Sequence, residues 1–236
     1  GCGALHPEAM ALEVVSQGAR LGVAFDGDAD RAVFAGTTGK IFDGDDVLCL
    51  LAPRWKREGR LTNGVVVGTI MTNAALDVFF KKEGIALRRA AVGDRYVLEE
   101  MRQSGAALGG EPSGHIVALG YTTTGDGLLT ALLVAERVVG EGKTLDELLS
   151  HFVKLPQILL GLRVSSKPPL ESLARVQAAT REAEAALEKC GGRVNVRYSG
   201  TEAKVRIMAE APDEALVRKL AEGIAGAFRE EGMVER

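Results

Sequence analysis

The sequence predicts a mixed α/β protein with largely parallel sheets and crossover helices, followed by a smaller α+β domain. Three observations predict it. Between Val65 and Ser104, β-branched runs alternate with amphipathic stretches at strand-then-helix spacing. Short polar, glycine-containing loops separate apolar runs, and open α/β sheets place their ligands at such strand ends. Beyond Lys154 to Gln157 the order changes to strand, long helix, two strands and helix.

The elements follow in chain order. A helical stretch closes at Val14 to Ser16, and the runs Leu21 to Phe25 and Ala32 to Ala35 read as strands joined by an acidic loop. A helix follows over 45–58, with Asp43 or Asp45 capping it and answering its dipole. Val65 to Ile70 is a buried strand. Asn73 to Lys82 is a helix that turns Leu76, Phe79 and Phe80 inward and ends at Gly84. Ile85 to Val92 and Asp94 to Ser104 repeat the unit, with Gly105 as the stop. Ala106 to Leu108 and Ile116 to Leu119 flank a polar loop. Leu128 to Val139 is apolar almost all round and predicts a buried helix. Thr144 to Glu147 is a capping box. The last part predicts a strand over 158–164, a helix over 170–189, strands over 193–197 and 204–209, and a helix from Pro212 to Glu230.

Composition narrows the function classes. Of 236 residues, 46% are hydrophobic and 26% charged, which suits a folded globular chain. The net charge of −3 gives no general attraction to nucleic acid or to an anionic membrane, so neither is expected as a partner. Phosphate groups on a ligand would need local cations. Cys2, Cys49 and Cys190 are odd in number and far apart, which points to a reducing cytoplasm and no disulfide frame. No run is long and apolar enough to span a membrane, and no leader pattern is visible.

Four loops carry chemistry. Asp26-Gly27-Asp28-Ala29-Asp30-Arg31 sets three carboxylates at alternate positions between the smallest residues. Two such charges about 4 Å apart repel by roughly 4 kcal/mol at an effective dielectric near 20, more than Arg31 alone offsets across three groups. An all-oxygen ligand set on a tight backbone suits a hard cation, Mg²⁺ first. A solvated acidic turn is the plainer alternative. The second acidic string, Asp43 to Asp46, reads as capping. Gly110-Glu111-Pro112-Ser113-Gly114-His115 offers carboxylate, hydroxyl and imidazole, the chemistry of sugar hydroxyls, or else a polar hairpin turn. Arg197-Tyr198-Ser199-Gly200-Thr201-Glu202, with Arg206 on the next strand, reads as an anion nest or a plain turn with solvated arginines. Gly93-Asp94-Arg95 opens a helix, where Arg95 can reach a phosphate.

Together, in this order, these loops resemble the metal, sugar and phosphate loops of the α-D-phosphohexomutase superfamily (DGDADR, GE-x-SGH and R-x-SGTE forms), and within it the phosphoglucosamine mutase branch. The resemblance implies Mg²⁺ on Asp26, Asp28 and Asp30, with Arg31 beside the reacting phosphoryl group as the catalytic residue. It implies a sugar held by Glu111, Ser113 and His115. A phosphate would be held by Arg197, Ser199, Gly200, Thr201 and Arg206, with Arg95 adding a contact. It implies residues 1–36 as the end of a metal-binding domain, 37–153 as a sugar-binding domain and 154–236 as a phosphate-binding domain. The family's phosphoserine loop, S-H-N-P, has no counterpart in this chain. The resemblance therefore implies the carboxyl-terminal half of a larger enzyme, inactive alone and completed by its amino-terminal half, with a homodimer as an expected assembly. The implied reaction interconverts glucosamine 6-phosphate and glucosamine 1-phosphate through a bisphosphate. Glucose and mannose phosphates are the alternative substrates. A haloacid-dehalogenase-type phosphatase, with Asp26 as nucleophile and Asp28 as acid, is the other enzyme reading. A non-catalytic binding remnant remains a third class.

Overall fold

A computed structural model describes residues 1–200 and 202–234. The chain divides into two compact units, Gly1–Val153 and Lys154–Arg236.

The first unit opens with α1 (Glu8–Gln17), ended by Gly18 in the left-handed region. Strands β1 (Gly22–Phe25), β2 (Ala32–Ala35) and β3 (Ile41–Phe42) form an antiparallel sheet in that order. The short β3 was not foreseen. Helix α2 (Gly44–Arg57) starts one residue earlier than expected because Asp43 is its cap. The Asp43 carboxylate accepts from Asp45 N–H, and Asp46 accepts from Asp43 N–H in return. Asp45 spends its other role on Asn73, accepting that N–H at 2.8 Å. The second acidic string is thus structural, as its helix-start position implied.

A second sheet carries the parallel pairing. Strands β4 (Val65–Thr69), β5 (Ala86–Ala90), β6 (Leu108–Gly110) and β7 (Ile116–Ala118) lie in the order β5-β4-β6-β7. Here β4 runs parallel to β5 and β6, and β7 turns back antiparallel. The crossovers are α3 (Ala75–Lys82) and α4 (Asp94–Ser104). Helix α3 begins two residues later than expected, because Asn73 uses its side-chain oxygen to turn the backbone onto Ala75 N–H. Phe34, Phe42, Leu48, Leu51, Leu76, Phe80, Leu108 and Ile116 fill one core shared by both sheets and α2.

Helix α5 (Gly127–Glu141) corrects the sequence expectation. Leu133, Val134 and Val138 are buried, but Leu128, Leu132 and Val139 are 61%, 62% and 75% exposed. Apolarity all round did not mean burial all round, because only one face meets α2 and β2. Helix α6 (Leu145–Leu148) has the expected capping box between Thr144 and Glu147. Its Asp146 carboxylate accepts from the backbone N–H and hydroxyl of Thr37 and from the Thr38 hydroxyl, at 2.7, 3.1 and 2.6 Å, tying the β2–β3 turn down.

The second unit has one antiparallel sheet of β8 (Gln157–Arg163), β9 (Arg193–Tyr198) and β10 (Lys204–Glu210), ordered β8-β10-β9. Val205, Ile207 and Ala209 turn one face of β10 toward α7 (Ala174–Glu188) and α8 (Glu214–Glu230). In α8, Val217, Ala221, Ile224, Ala225 and Phe228 form the apolar stripe of a 3.6-residue period. Asp213 caps this helix by accepting Leu216 N–H, so Pro212 precedes the cap and does not occupy the first turn. Residues 170–172 form a separate 3₁₀ turn before α7, which therefore starts later than expected. Among the described residues, no helix is long and apolar enough to cross a membrane.

Candidate active site

The acidic loop between β1 and β2 is a tight turn. Ala29 N–H donates to Asp26 O at 3.2 Å, and Arg31 N–H donates to an Asp26 carboxylate oxygen at 3.1 Å. Ala29 sits at φ 59°, a left-handed conformation that costs a non-glycine residue about 1–2 kcal/mol. That turn brings one carboxylate oxygen each from Asp26, Asp28 and Asp30 to within 4.8 Å of one another. The Arg31 Nε stands 3.6 Å from Asp26 and 3.8 Å from Asp30, too far for a hydrogen bond. Both Arg31 Nε and Asp30 Oδ1 are buried without a hydrogen-bond partner. An orphaned buried carboxylate oxygen beside two more carboxylates is the donor set that a hard divalent cation completes. The residues fit Mg²⁺.

The loop between β6 and β7 docks on this turn through its backbone. Arg31 and His115 form an isolated antiparallel bridge, and Ala32 N–H donates to Gly114 O at 3.2 Å. Gly114 must be glycine: its φ is +92°, and a Cβ would collide with Ala32 O. Gly44, opening α2, donates its N–H to Pro112 O at 3.3 Å. His115 is 2% exposed, and its Nδ1 lies 2.8 Å from an Asp30 carboxylate oxygen. Ser113 is exposed at the loop tip. Glu111 is 8% exposed, and one of its carboxylate oxygens already accepts Gly93 N–H at 2.8 Å. That bond ties the Gly110–His115 loop to the start of α4. Asp94, Arg95, His115, Thr123 and Thr124 then share the walls of a pocket of about 220 Å³. Asp26, Asp28, Asp30, Arg31, Glu111, His115 and Arg95 are therefore one neighbourhood.

Two residues there escaped the sequence reading. Gly127 donates its N–H to Ala29 O at 2.9 Å, and Gly125 packs against the His115 ring closely enough that a Cβ there would overlap it. The string Gly125-Asp126-Gly127, directly before an apolar helix and with Asp126 capping it, was the available signal.

In the second unit, Arg197 and Arg206 are directly paired residues of β9 and β10, so their side chains stand on the same sheet face. Like charges so placed repel. Glu202 offsets the Arg206 charge, accepting from Lys204 at 2.6 Å and from Arg206 at 3.0 Å. Those two partners, Lys204 first, hold the Glu202 carboxyl below its ordinary value. Ser199 is buried and accepts Glu202 N–H at 3.3 Å through its hydroxyl. Lys167, which the sequence reading passed over, reaches the Ser199 carbonyl at 2.5 Å. Burial raises Tyr198, with Glu171 adding to it. Gly200 and Glu202 are described on either side of Thr201, which lies outside the described residues.

Residues 43–155 match the family model described as phosphoglucomutase/phosphomannomutase, alpha/beta/alpha domain III, and residues 159–227 match its C-terminal domain. The chain belongs to the phosphoglucomutase/phosphomannomutase family. Phosphoglucosamine mutase of Thermus thermophilus is 49% identical over 232 residues, covering 98% of this chain and 52% of that protein. Phosphoglucosamine mutase of Rhodospirillum rubrum is 49% identical over 221 residues, covering 93% and 49%. This family chain thus spans about half the length of the curated relatives it matches. Among solved structures, a phosphoglucomutase/phosphomannomutase family protein of Burkholderia thailandensis aligns with a TM-score of 0.77 at 19% identity, over 97% of this chain and 50% of that one. Aspergillus fumigatus N-acetylphosphoglucosamine mutase, in complex with GlcNAc-6P and magnesium, aligns at 0.74 and 22% identity, over 96% and 56%. At those identities the structures establish the fold.

Proposed function

We propose that this chain is the metal- and sugar-binding part of a phosphohexose mutase acting on glucosamine 6-phosphate and glucosamine 1-phosphate. The observation that carries the proposal is the junction of the acidic turn with the Gly110–His115 loop, whose His115 touches both Asp30 and the Arg95 pocket. Asp26, Asp28 and Asp30 would hold Mg²⁺. A divalent cation there supplies positive charge that polarises phosphoryl oxygens and offsets charge developing on them. Arg31 brings its guanidinium to the edge of the same carboxylates and stabilises charge on a transferring group. Glu111, Ser113 and His115 orient the hexose hydroxyls. Arg197, Ser199, Gly200, Thr201 and Arg206 form a phosphate-binding element within the second unit, and Arg95 adds a cation in the first. The three-part domain plan, 1–36, 37–153 and 154–236, belongs to the same reading. The phosphoserine comes from the amino-terminal half that the relatives carry, so the chain alone binds but does not turn over.

³¹P NMR tests this. With Mg²⁺ and glucosamine 6-phosphate, the chain alone should give no 1-phosphate signal. Adding the separately produced amino-terminal half of the Thermus thermophilus relative should start conversion. Calorimetry with glucosamine, glucose and mannose 6-phosphates ranks the sugars. Failure to bind any of them would sink the reading, and conversion by the chain alone would refute the missing nucleophile.

A further inference from the structure

The geometry points to a second task for His115: it is the positioning residue that fixes Asp30 as a metal ligand. This deepens the metal-site reading and rests on it. His115 Nδ1 lies 2.8 Å from Asp30 Oδ2, while the other oxygen of that carboxylate, Oδ1, is buried with no hydrogen-bond partner. The two oxygens of Asp30 thus have different circumstances. One is held by the imidazole; the other faces Arg31 Nε at 3.8 Å without a hydrogen bond and is left for an ion. In the tautomer whose Nδ1–H donates to the carboxylate, Nε2 is the acceptor nitrogen of the ring. The ring also lines the pocket that contains Arg95.

His115 has little freedom to do anything else. Its side chain is 3% exposed, and its backbone is bridged to Arg31, the residue after Asp30. Gly125 closes the other side, where an added Cβ would overlap three ring atoms. Gly127 clamps the acidic turn itself, its N–H on Ala29 O at 2.9 Å. One short segment, Gly125 to Gly127, therefore holds both the imidazole and the turn whose carboxylate it orients. Asp30 is the last carboxylate of the turn, and its side chain is 30% exposed. Without the imidazole nothing else in the described structure hydrogen-bonds that side chain, and it would lose its fixed rotamer. Outer-shell partners of metal ligands are typically worth about 10- to 100-fold in metal affinity.

The test titrates the full chain with Mn²⁺, counting free ion by electron paramagnetic resonance, and competes it with Mg²⁺. His115→Ala should weaken Mn²⁺ binding by about 10-fold or more. His115→Asn places an N–H near the former Nδ1 and should recover most of the loss. His115→Gln places its N–H farther out and should not. Gly125→Ala keeps the histidine but displaces its ring, and should weaken binding in the same direction. Thermal melts run alongside separate loss of fold from loss of affinity; if His115→Ala does not fold, the Asn and Gln pair decides. Wild-type binding with all four variants unchanged overturns this inference and leaves the metal site intact. Equal losses in Asn and Gln also overturn it, since packing alone would then explain the effect. No Mn²⁺ binding by the wild-type chain removes the metal site and this inference together.

Discussion

Gly127→Ala sets two physical effects of opposite sign against each other. Gly127 is the first residue of α5, and helix propensity alone says that alanine stabilises, by up to about 1 kcal/mol. The local packing says otherwise. A Cβ at this position would stand 2.7 Å from Arg31 O, 2.8 Å from Ala29 O and 2.9 Å from the Phe25 ring. Two of these neighbours are backbone carbonyls of the acidic turn, which cannot swing aside as a side-chain end can. Overpacking typically costs about 1–3 kcal/mol. Pushing the turn away also strains the Gly127 N–H bond to Ala29 O, worth about 0.5–1.5 kcal/mol. After the propensity gain the net is a destabilisation of about 1–3 kcal/mol. At a urea dependence near 2 kcal/mol per molar, the midpoint falls by roughly 1 M. Trp55, the one tryptophan, is buried in α2, so its fluorescence reports the first unit by itself. Gly140 in the same helix is the control: nothing lies within 4 Å of its added Cβ. Gly140→Ala should therefore stabilise by about 0.5–1 kcal/mol. Mn²⁺ affinity should drop in Gly127→Ala and hold in Gly140→Ala. A Gly127→Ala protein as stable as wild type, with unchanged Mn²⁺ affinity, would refute the packing argument.

Two further outcomes can be checked directly. Burial tends to raise the Asp146 carboxyl, but hydrogen bonds from the Thr38 hydroxyl and from the Thr37 hydroxyl and N–H outweigh it and hold the group below its ordinary value. A depressed carboxyl adds stability that is fully present above its unfolded value of about 3.9 and is lost as pH falls through the lower folded value. Asp146→Asn should cost about 1–2 kcal/mol at neutral pH, allowing for solvent screening, and converge with wild type in acid; parallel pH curves would contradict this. In the second unit, inorganic phosphate should raise the melting temperature of the wild-type chain, and Arg206→Gln should abolish most of that rise. An undiminished rise in the variant would remove Arg206 from the phosphate site.

How much of this was legible in the sequence varies by residue, for physical reasons. The Asp43–Asp46 cap was readable because capping is local: acceptor and donors lie within three residues. The acidic turn and its flanking strands were readable because apolar runs bracket it directly in sequence, and Gly27 and Ala29, the smallest residues, let the backbone turn tightly between the carboxylates. The role of Gly125 to Gly127 was not: Ala29, the partner of Gly127, lies 98 positions away, and although His115 is only 10 positions from Gly125, sequence spacing says nothing of which ring or turn a loop meets in space. The exposed side of α5 was misread for a related reason. Apolarity records what a helix tolerates, whereas burial depends on which neighbours arrive, and here only one face received them. The pairing of His115 with Asp30 likewise joins residues 85 positions apart. Glu111 was read as a ligand group from its chemistry alone; what the structure shows is that it anchors the start of α4.

The acidic turn and the Gly110–His115 loop are stitched to one another by main-chain pairing, Arg31 with His115 and Ala32 with Gly114, and Gly44 at the start of α2 adds a bond to Pro112. Amide-to-carbonyl seams are indifferent to most side-chain identity. The exposed tip at Ser113 is therefore free to drift over generations without moving the carboxylate cluster beneath it. A substitution at that tip changes what the loop presents to solvent and leaves the spacing of the three carboxylates alone.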